Sequence, residues 1–573
     1  MKRRSTISLR PWRRPIAAGR TTAVTCFVAL LASLHAGDGA ASTPAALAAP
    51  TPPAQESEQP AFDAALARYE AWKRRASLWK RTMGRIALAQ TGDPRALPLL
   101  IEDYRRPEEP KQQVKALIAS LAADHLTAPE LLPRHAEWRA AARKPEDSWL
   151  WLRTLELDAR HGELATVEAA VAAAPTFVHR LAALHALAPA KAAAPELLPK
   201  IPTLLALKTT SPVEAGALAQ TVAAVLLRLK PFRGDEPFVA ACSAVIDQLD
   251  DKTLPLPSKR VVARHLAQLF DKTGVADVAA EPWRRELAAR AWETPRATTA
   301  PTYAASFAGI PTTGVRLCYV IDCSDSMLKP VAGRAKEKAA ETGPTRRDDA
   351  ASLPAINWDR VKTRFDLARE LVIASIRQLG EERRFAIVLF GTDVELFAAT
   401  RGLVPAKKGA IARVEKELRA MTAGPPTADR PDGTLMGDTN LQGGLDRAFR
   451  VTSKGLDAKA LPSDLELIEE GVDAIFLFSD GDPSSDDFVV TETRDPEDQL
   501  GDPETGAAHT PTPLMEQYGP YVLDQHLLDE VRRWNLFRGA EIHCVGTGEV
   551  SLGLLRDLAA LGLGQVKQIG KDQ

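Results

Sequence analysis

The chain has 573 residues, 45% hydrophobic and 26% charged, with 73 Lys+Arg against 74 Asp+Glu for a formal charge of −1. That balance excludes a disordered tail and a multi-span membrane protein, and the length predicts about three to five ordinary domains or two large ones. Residues 1–41 carry seven basic side chains against one acid, Asp38, so the remainder has a net charge of −7 and lacks the global cationic excess expected of a nucleic-acid binder.

The first element, residues 1–41, reads as an export signal. A basic stretch precedes the apolar run Thr21–Ala36, and small residues Gly39-Ala40-Ala41 follow it. The run falls short of the ~20 residues needed to span a bilayer, so cleavage near Ala36 or Ala41 is expected. An uncleaved signal would instead anchor the chain, and in either case the bulk lies outside the cytoplasm, secreted or periplasmic. Cys26 lies within the signal. The other four cysteines, Cys242, Cys318, Cys323 and Cys544, are too few and scattered for a disulfide framework and read as core residues.

Residues 42–59 are Pro/Ala/Ser-rich and form a linker. Across 60–292, Leu, Ala and Val recur at i, i+3 and i+4, broken by Gly or Pro, which predicts an all-helical domain. The segment from Thr91 through Leu126 looks like one HEAT-type helix pair. Further pairs are expected at 165–188, 190–207, 213–229 and 238–269, giving a HEAT-like solenoid in which stacked pairs bury what no single pair could. Residues 293–314 read as a second linker.

From residue 315 to 573 the pattern changes to alternating strands and helices. Strands are expected at Val315–Ile321, Phe385–Phe390, Val394–Phe397, Ala474–Phe478, Ile542–Val545 and Val566–Ile569. Helices are expected at Phe365–Leu379, Gly409–Met421, Leu441–Arg450, Leu527–Leu536 and Leu554–Leu561. Such alternation predicts an α/β doubly wound, mostly parallel sheet covered on both faces.

Three pieces fall where strands should end: Asp322-Cys323-Ser324-Asp325-Ser326, Gly437-Asp438-Thr439-Asn440-Leu441 and Ser479-Asp480-Gly481. Ligands of open α/β sheets sit at the carboxyl edge, where these pieces offer two carboxylates and three hydroxyls. Hard oxygen donors of this kind suit Mg²⁺ or Mn²⁺. These motifs resemble the metal-ion-dependent adhesion site of von Willebrand factor type A domains. D-x-S-x-S matches Asp322, Ser324 and Ser326, the family's loop threonine falls on Thr439, and its S/T-D-G aspartate falls on Asp480. The resemblance implies direct or one-water coordination by Ser324, Ser326 and Thr439, with Asp322 and Asp480 acting mainly through water. A partner's carboxylate would complete the shell. The family's sheet order also implies two strand steps of ~4.8 Å between Cys318 and Cys544, beyond the ~7 Å reach of a disulfide. Both thiols should therefore be free.

Departures from the family pattern cluster at the same edge. Residues 329–358 form an insertion with six basic side chains. A second insertion covers 483–525, and its span 486–504 holds eight acids against Arg494 alone. A third polar stretch covers 424–433. Opposite net charges on the first two suggest a partial lid over the cation. No GxSxG, HExxH or GxxxxGK[ST] motif occurs, and His179, His185 and His543 read as structural, so enzyme activity is not expected. The expected function is metal-dependent binding of a protein ligand that contributes an acidic side chain. The alternative is a Ro-like RNA-binding protein, which shares a helical-repeat body followed by a type A domain. The export signal and the net charge of −7 count against it.

Overall fold

A computed structural model gives the fold for residues 58–106, 112–187, 194–272, 277–290, 306–331, 356–421, 424, 437–493, 514–548 and 552–569. The expected export signal, the linker before residue 58, and most of the insertion 329–358 lie outside the described residues. So do the centre of 483–525 and the polar stretch 424–433 except Gly424.

Fourteen α-helices run from Glu58 to Ala288 among the described residues. Their starts are written locally: Ser77, Thr176 and Ser211 each accept a backbone N–H from the first turn, and Pro212 occupies a first helical position where no amide donor is needed. Helix Ser148–Arg160 packs on Phe177–Ala186, which packs on Pro212–Arg228, which in turn packs on Leu256–Leu269. Where one pair was expected at 190–207, the described part holds only two short helices, Ala194–Leu197 and Ile201–Leu205, joined by a 3₁₀ turn. Pro195, Pro199 and Pro202 each remove a helix donor there.

The second region is built on a mixed sheet. A short hairpin, β1 (Ser306–Phe307) and β2 (Ile310–Pro311), precedes β3 (Arg316–Asp322), β4 (Arg384–Phe390), β5 (Val394–Leu396) and β6 (Val404–Pro405). A small hairpin, β7 (Val451–Thr452) and β8 (Gly455–Leu456), leads to β9 (Ala474–Ser479). The ribbon β10 (Val490–Thr493) and β11 (Leu514–Gln517) comes next, then β12 (Glu541–Thr547) and β13 (Val566–Ile569). The main sheet runs β13-β12-β9-β3-β4-β5, with β6 also on β4; only β5 and β6 are antiparallel.

Alternation along the central strands serves two cores. Leu317, Tyr319, Ile321, Phe385, Ile387 and Phe476 face the helices Arg364–Arg377 and Lys408–Ala420. Cys318, Val320, Ala386, Val388, Ile475 and Cys544 face Leu441–Arg450, Asp524–Asn535 and Leu552–Leu561. The same alternation puts His543 against Phe476, ring centroids 5.0 Å apart, while Cys544 enters the opposite core. Residues 306–314, expected as linker, are part of the fold: Phe307 packs against Tyr319 and Phe476 at 5.5 and 5.2 Å, because its ring fills a gap beside the strands.

Residues Ser57–Gln573 form one compact unit. Instead of two bodies on a tether, the helices and the sheet share a core: Leu465, Ile468, Phe488, Tyr521 and Phe537 join the apolar cluster of the helical region. Polar contacts reinforce the seam. Glu492 accepts the Ser77 N–H at 2.8 Å and pairs with Lys80 at 3.8 Å, and Arg264 donates to the Gly539 carbonyl at 2.6 Å. Buried Glu156 is shared by Arg153 and, across the seam, by Arg532.

Burial opposes ionisation of Glu156, but Arg532 and Arg153 overcome it and hold its pKa down to about 2. With the folded pKa below the unfolded one, the stability this carboxylate contributes is complete above pH ~4.5 and is lost as pH falls towards 2. Glu156→Gln should lower stability at neutral pH by about 3 kcal/mol and flatten that acid limb, as read by urea melts across pH. The four described cysteines, Cys242, Cys318, Cys323 and Cys544, are buried free thiols, with β9 between Cys318 and Cys544. They should resist alkylation in the native protein and react in denaturant.

Candidate functional site

The carboxyl ends of β3 and β9 lie side by side, and the loop before helix Leu441–Arg450 closes over them. Backbone bonds fix the Asp322–Ser326 and Gly437–Leu441 pieces. Cys323 N–H donates to the Phe390 carbonyl at 2.7 Å, Asp325 N–H to the Gly437 carbonyl at 2.8 Å, and Asn440 N–H to the Gly391 carbonyl at 2.8 Å. Gly437 adopts φ +73°, a turn that a side chain would strain. Asn440 then caps its helix, accepting from Gly443 N–H at 2.7 Å.

All five residues singled out by sequence lie at this edge. Asp322 is fully buried; one oxygen accepts the Ser324 N–H at 2.8 Å and the other accepts Ser479 Oγ–H at 2.7 Å. Ser324 Oγ and Ser326 Oγ are 3.0 Å apart, and Ser326 Oγ donates to Asp480 Oδ1 at 2.5 Å. A Cβ placed on Gly481 would sit 3.9 Å from both Ser326 Oγ and Thr439 Oγ1, so Thr439 brings the third hydroxyl to the same cradle. The Thr439 backbone is held by Ser484: its N–H donates to Ser484 Oγ at 2.9 Å, and its carbonyl accepts Ser484 N–H at 3.1 Å.

Burial pushes the Asp322 carboxyl up to about 6, against the hydrogen bonds from Ser324 and Ser479 that favour the anion. The rim is acidic as well: burial and the nearby Glu516 and Asp325 raise Asp438 above the usual carboxylate range. The site therefore favours positive charge. Among the described residues, no group of three or more His, Cys, Asp or Glu is placed to hold a metal ion. Any cation here would rest on two carboxylates and neutral hydroxyls, a set that fits a hard, partly hydrated divalent ion and not a soft one.

Sequence reasoning missed two participants. Arg364, the first residue of helix Arg364–Arg377, pairs with Asp480 Oδ2, and its guanidinium packs where a side chain on Gly548 (φ +68°) would stand. No motif marks it; only the observed register of that helix shows it. Ser479 belongs to the quoted Ser-Asp-Gly piece, yet it holds Asp322 and does not present its hydroxyl with the other three.

The second insertion is also more ordered at its ends than a solvated acidic loop. Asp486 is buried and accepts three N–H groups, from Phe488, Gly519 and Tyr521, at 2.8–3.0 Å. Asp487 pairs with Arg447 and accepts from Asn440 Nδ2 at 3.0 Å. These acids, with Glu492, are committed to their own partners, which removes them from the lid expected over the cation. The basic segment that would meet the rest lies outside the described residues.

Comparison with protein-family models and with curated protein sequences found no match. Ser479→Ala should cost about 1–3 kcal/mol, because it leaves a buried carboxylate oxygen without its hydroxyl donor; chemical denaturation checks this.

Proposed function

We propose that residues 315–573 form a von Willebrand factor type A domain with a metal-ion-dependent adhesion site, borne by a HEAT-like helical region in an exported binding protein. One observation carries the reading. Asp322, Ser324, Ser326, Thr439 and Asp480 come from three separate loops, two at strand ends and one entering a helix, and meet at one edge, linked by contacts of 2.5–3.0 Å from Ser324 to Asp480. The sheet order, with antiparallel strands only beyond β4, supports it.

In this reading Ser324, Ser326 and Thr439 hold Mg²⁺ or Mn²⁺, and Asp322 and Asp480 supply the negative charge that keeps it there. The cation would provide an open Lewis-acid position for an acidic side chain of a protein partner. The protein's own residues do the rest. Ser479 orients Asp322, Ser484 fixes the Thr439 loop, and Arg364 balances Asp480 from the side of the helix.

Titration calorimetry of the full chain should show one Mg²⁺ or Mn²⁺ bound, with binding abolished by Asp322→Ala while the circular dichroism spectrum is kept. Arg364→Gln should tighten the cation several-fold, since guanidinium and metal compete for Asp480. Equal affinity in wild type and Asp322→Ala would sink the proposal.

A further inference from the structure

A cavity of about 230 Å³, partly open to solvent, lies away from the strand-end site, near the amino-terminal end of β12, where the helical region meets the sheet. Its wall carries Arg228, Arg264, Arg532, His185, His265 and Gln220 among apolar side chains. Two of these guanidiniums have carboxylates: Arg532 pairs with Glu156, while Arg153, which also touches Glu156, has Asp124 as well, and Arg264 reaches Glu541 at 3.5 Å. Arg228 is accessible, donates to the His185 carbonyl at 3.2 Å, and makes no ion pair among the described residues.

The histidines do not repair the deficit. Burial, with Arg264 and Arg228 nearby, holds His265 down at about 4, and burial lowers His185 as well, so both are neutral at physiological pH and add no charge. Gln220 is 4% exposed and donates its amide to the Phe537 carbonyl at 3.1 Å, yet its Oε1 has no hydrogen-bond partner. Such a wall lacks an anion at Arg228 and a hydrogen-bond donor at Gln220. The apolar remainder, Ala224, Leu227, Val261 and Leu563, would cover a short hydrocarbon stem.

We infer that this cavity is a binding site for a small oxyanion-bearing molecule, a hydroxycarboxylate or a protonated phosphate ester on a short apolar stem, its oxyanion clamped by Arg228 and Arg532 and its O–H donating to Gln220 Oε1, at the seam between helices and sheet. Its size admits a metabolite-sized anion. Because both regions contribute to the wall, the bound anion would also tie them together. Nothing in this inference depends on the strand-end cation site.

Thermal melts and calorimetry on the full chain test it, with inorganic phosphate and 4-hydroxybutyrate as probes against sodium chloride of matched ionic strength. Wild type should show saturable stabilisation at millimolar phosphate or 4-hydroxybutyrate, and the more effective probe distinguishes a phosphate-bearing from a carboxylate-bearing ligand. Arg228→Gln should weaken that binding roughly ten-fold or more. Ala224→Phe, which fills the cavity without changing charge, should do the same, and Arg377→Gln on the far surface should leave it unchanged. Absence of a saturable effect from both probes, or retention of it in either cavity variant, overturns the inference.

Discussion

The helical region does not bury its apolar face alone, and that constraint organises the molecule. Its core is completed by Phe488, Tyr521 and Phe537, which come from the segment between β9 and β12. Burying an aromatic ring contributes about 1.5–3 kcal/mol, so these side chains bind the two regions through the most general force available. The polar contacts at the same seam then act in a dry setting. Glu156 between Arg153 and Arg532, and Glu541 beside Arg264, would be costly if either partner were removed. The hydrophobic seam and the buried ions therefore depend on each other: the first excludes water, and the second fixes the register.

The same segment also borders the strand-end site. Ser484 holds Thr439, Asp487 reaches Asn440 at the helix cap, and Glu492 touches Ser77 in the first turns of the helical region. Separate hydrogen bonds from one segment, residues 484–492, thus reach both the Thr439 loop and the helices. Proximity along the chain is not coupling, which would need two discrete arrangements biased from both ends. It does mean that the surface around Asp480 is set partly by the helical region, through a ribbon the sheet alone would not hold.

Much of this was legible from local pattern. Buried parallel strands such as 385–390 and 474–478 read as uninterrupted apolar runs, and amphipathic helices such as 441–450 declared their faces, because period and burial are written residue by residue. The strand-end residues were legible for a related reason: a strand has a definite end, so Asp322 and Asp480 were placed before any contact was known. What could not be read were pairings over long sequence separation. Arg364 meets Asp480 across 116 residues, and Glu492 meets Ser77 across 415. A run of acids looks the same in sequence whether solvated or committed, and Asp486 differs from a surface acid only by the three amides that turn towards it. Likewise 306–314 has the composition of a linker, and only the space beside Tyr319 and Phe476 makes Phe307 a core residue.

Charge distinguishes the two ends of the sheet. At the carboxyl edge Asp480 has Arg364, whereas Asp322 is buried with no cation of its own among the described residues, and Asp438 adds to an acidic rim. At the opposite end, around Glu541 and Gly539, Arg264 and Arg532 each have a carboxylate and Arg228 is exposed to water. Of the two ends, the carboxyl edge therefore holds the charge that opposes folding, the buried carboxyl of Asp322, whereas Arg228 keeps its water. The intervening sheet is packed with apolar side chains on both faces, which keeps the two ends apart. In the proposed readings, a cation at the strand ends would answer the buried Asp322 carboxyl, and an anion at the cavity would answer Arg228, so that the two ends would take ligands of opposite sign independently of each other.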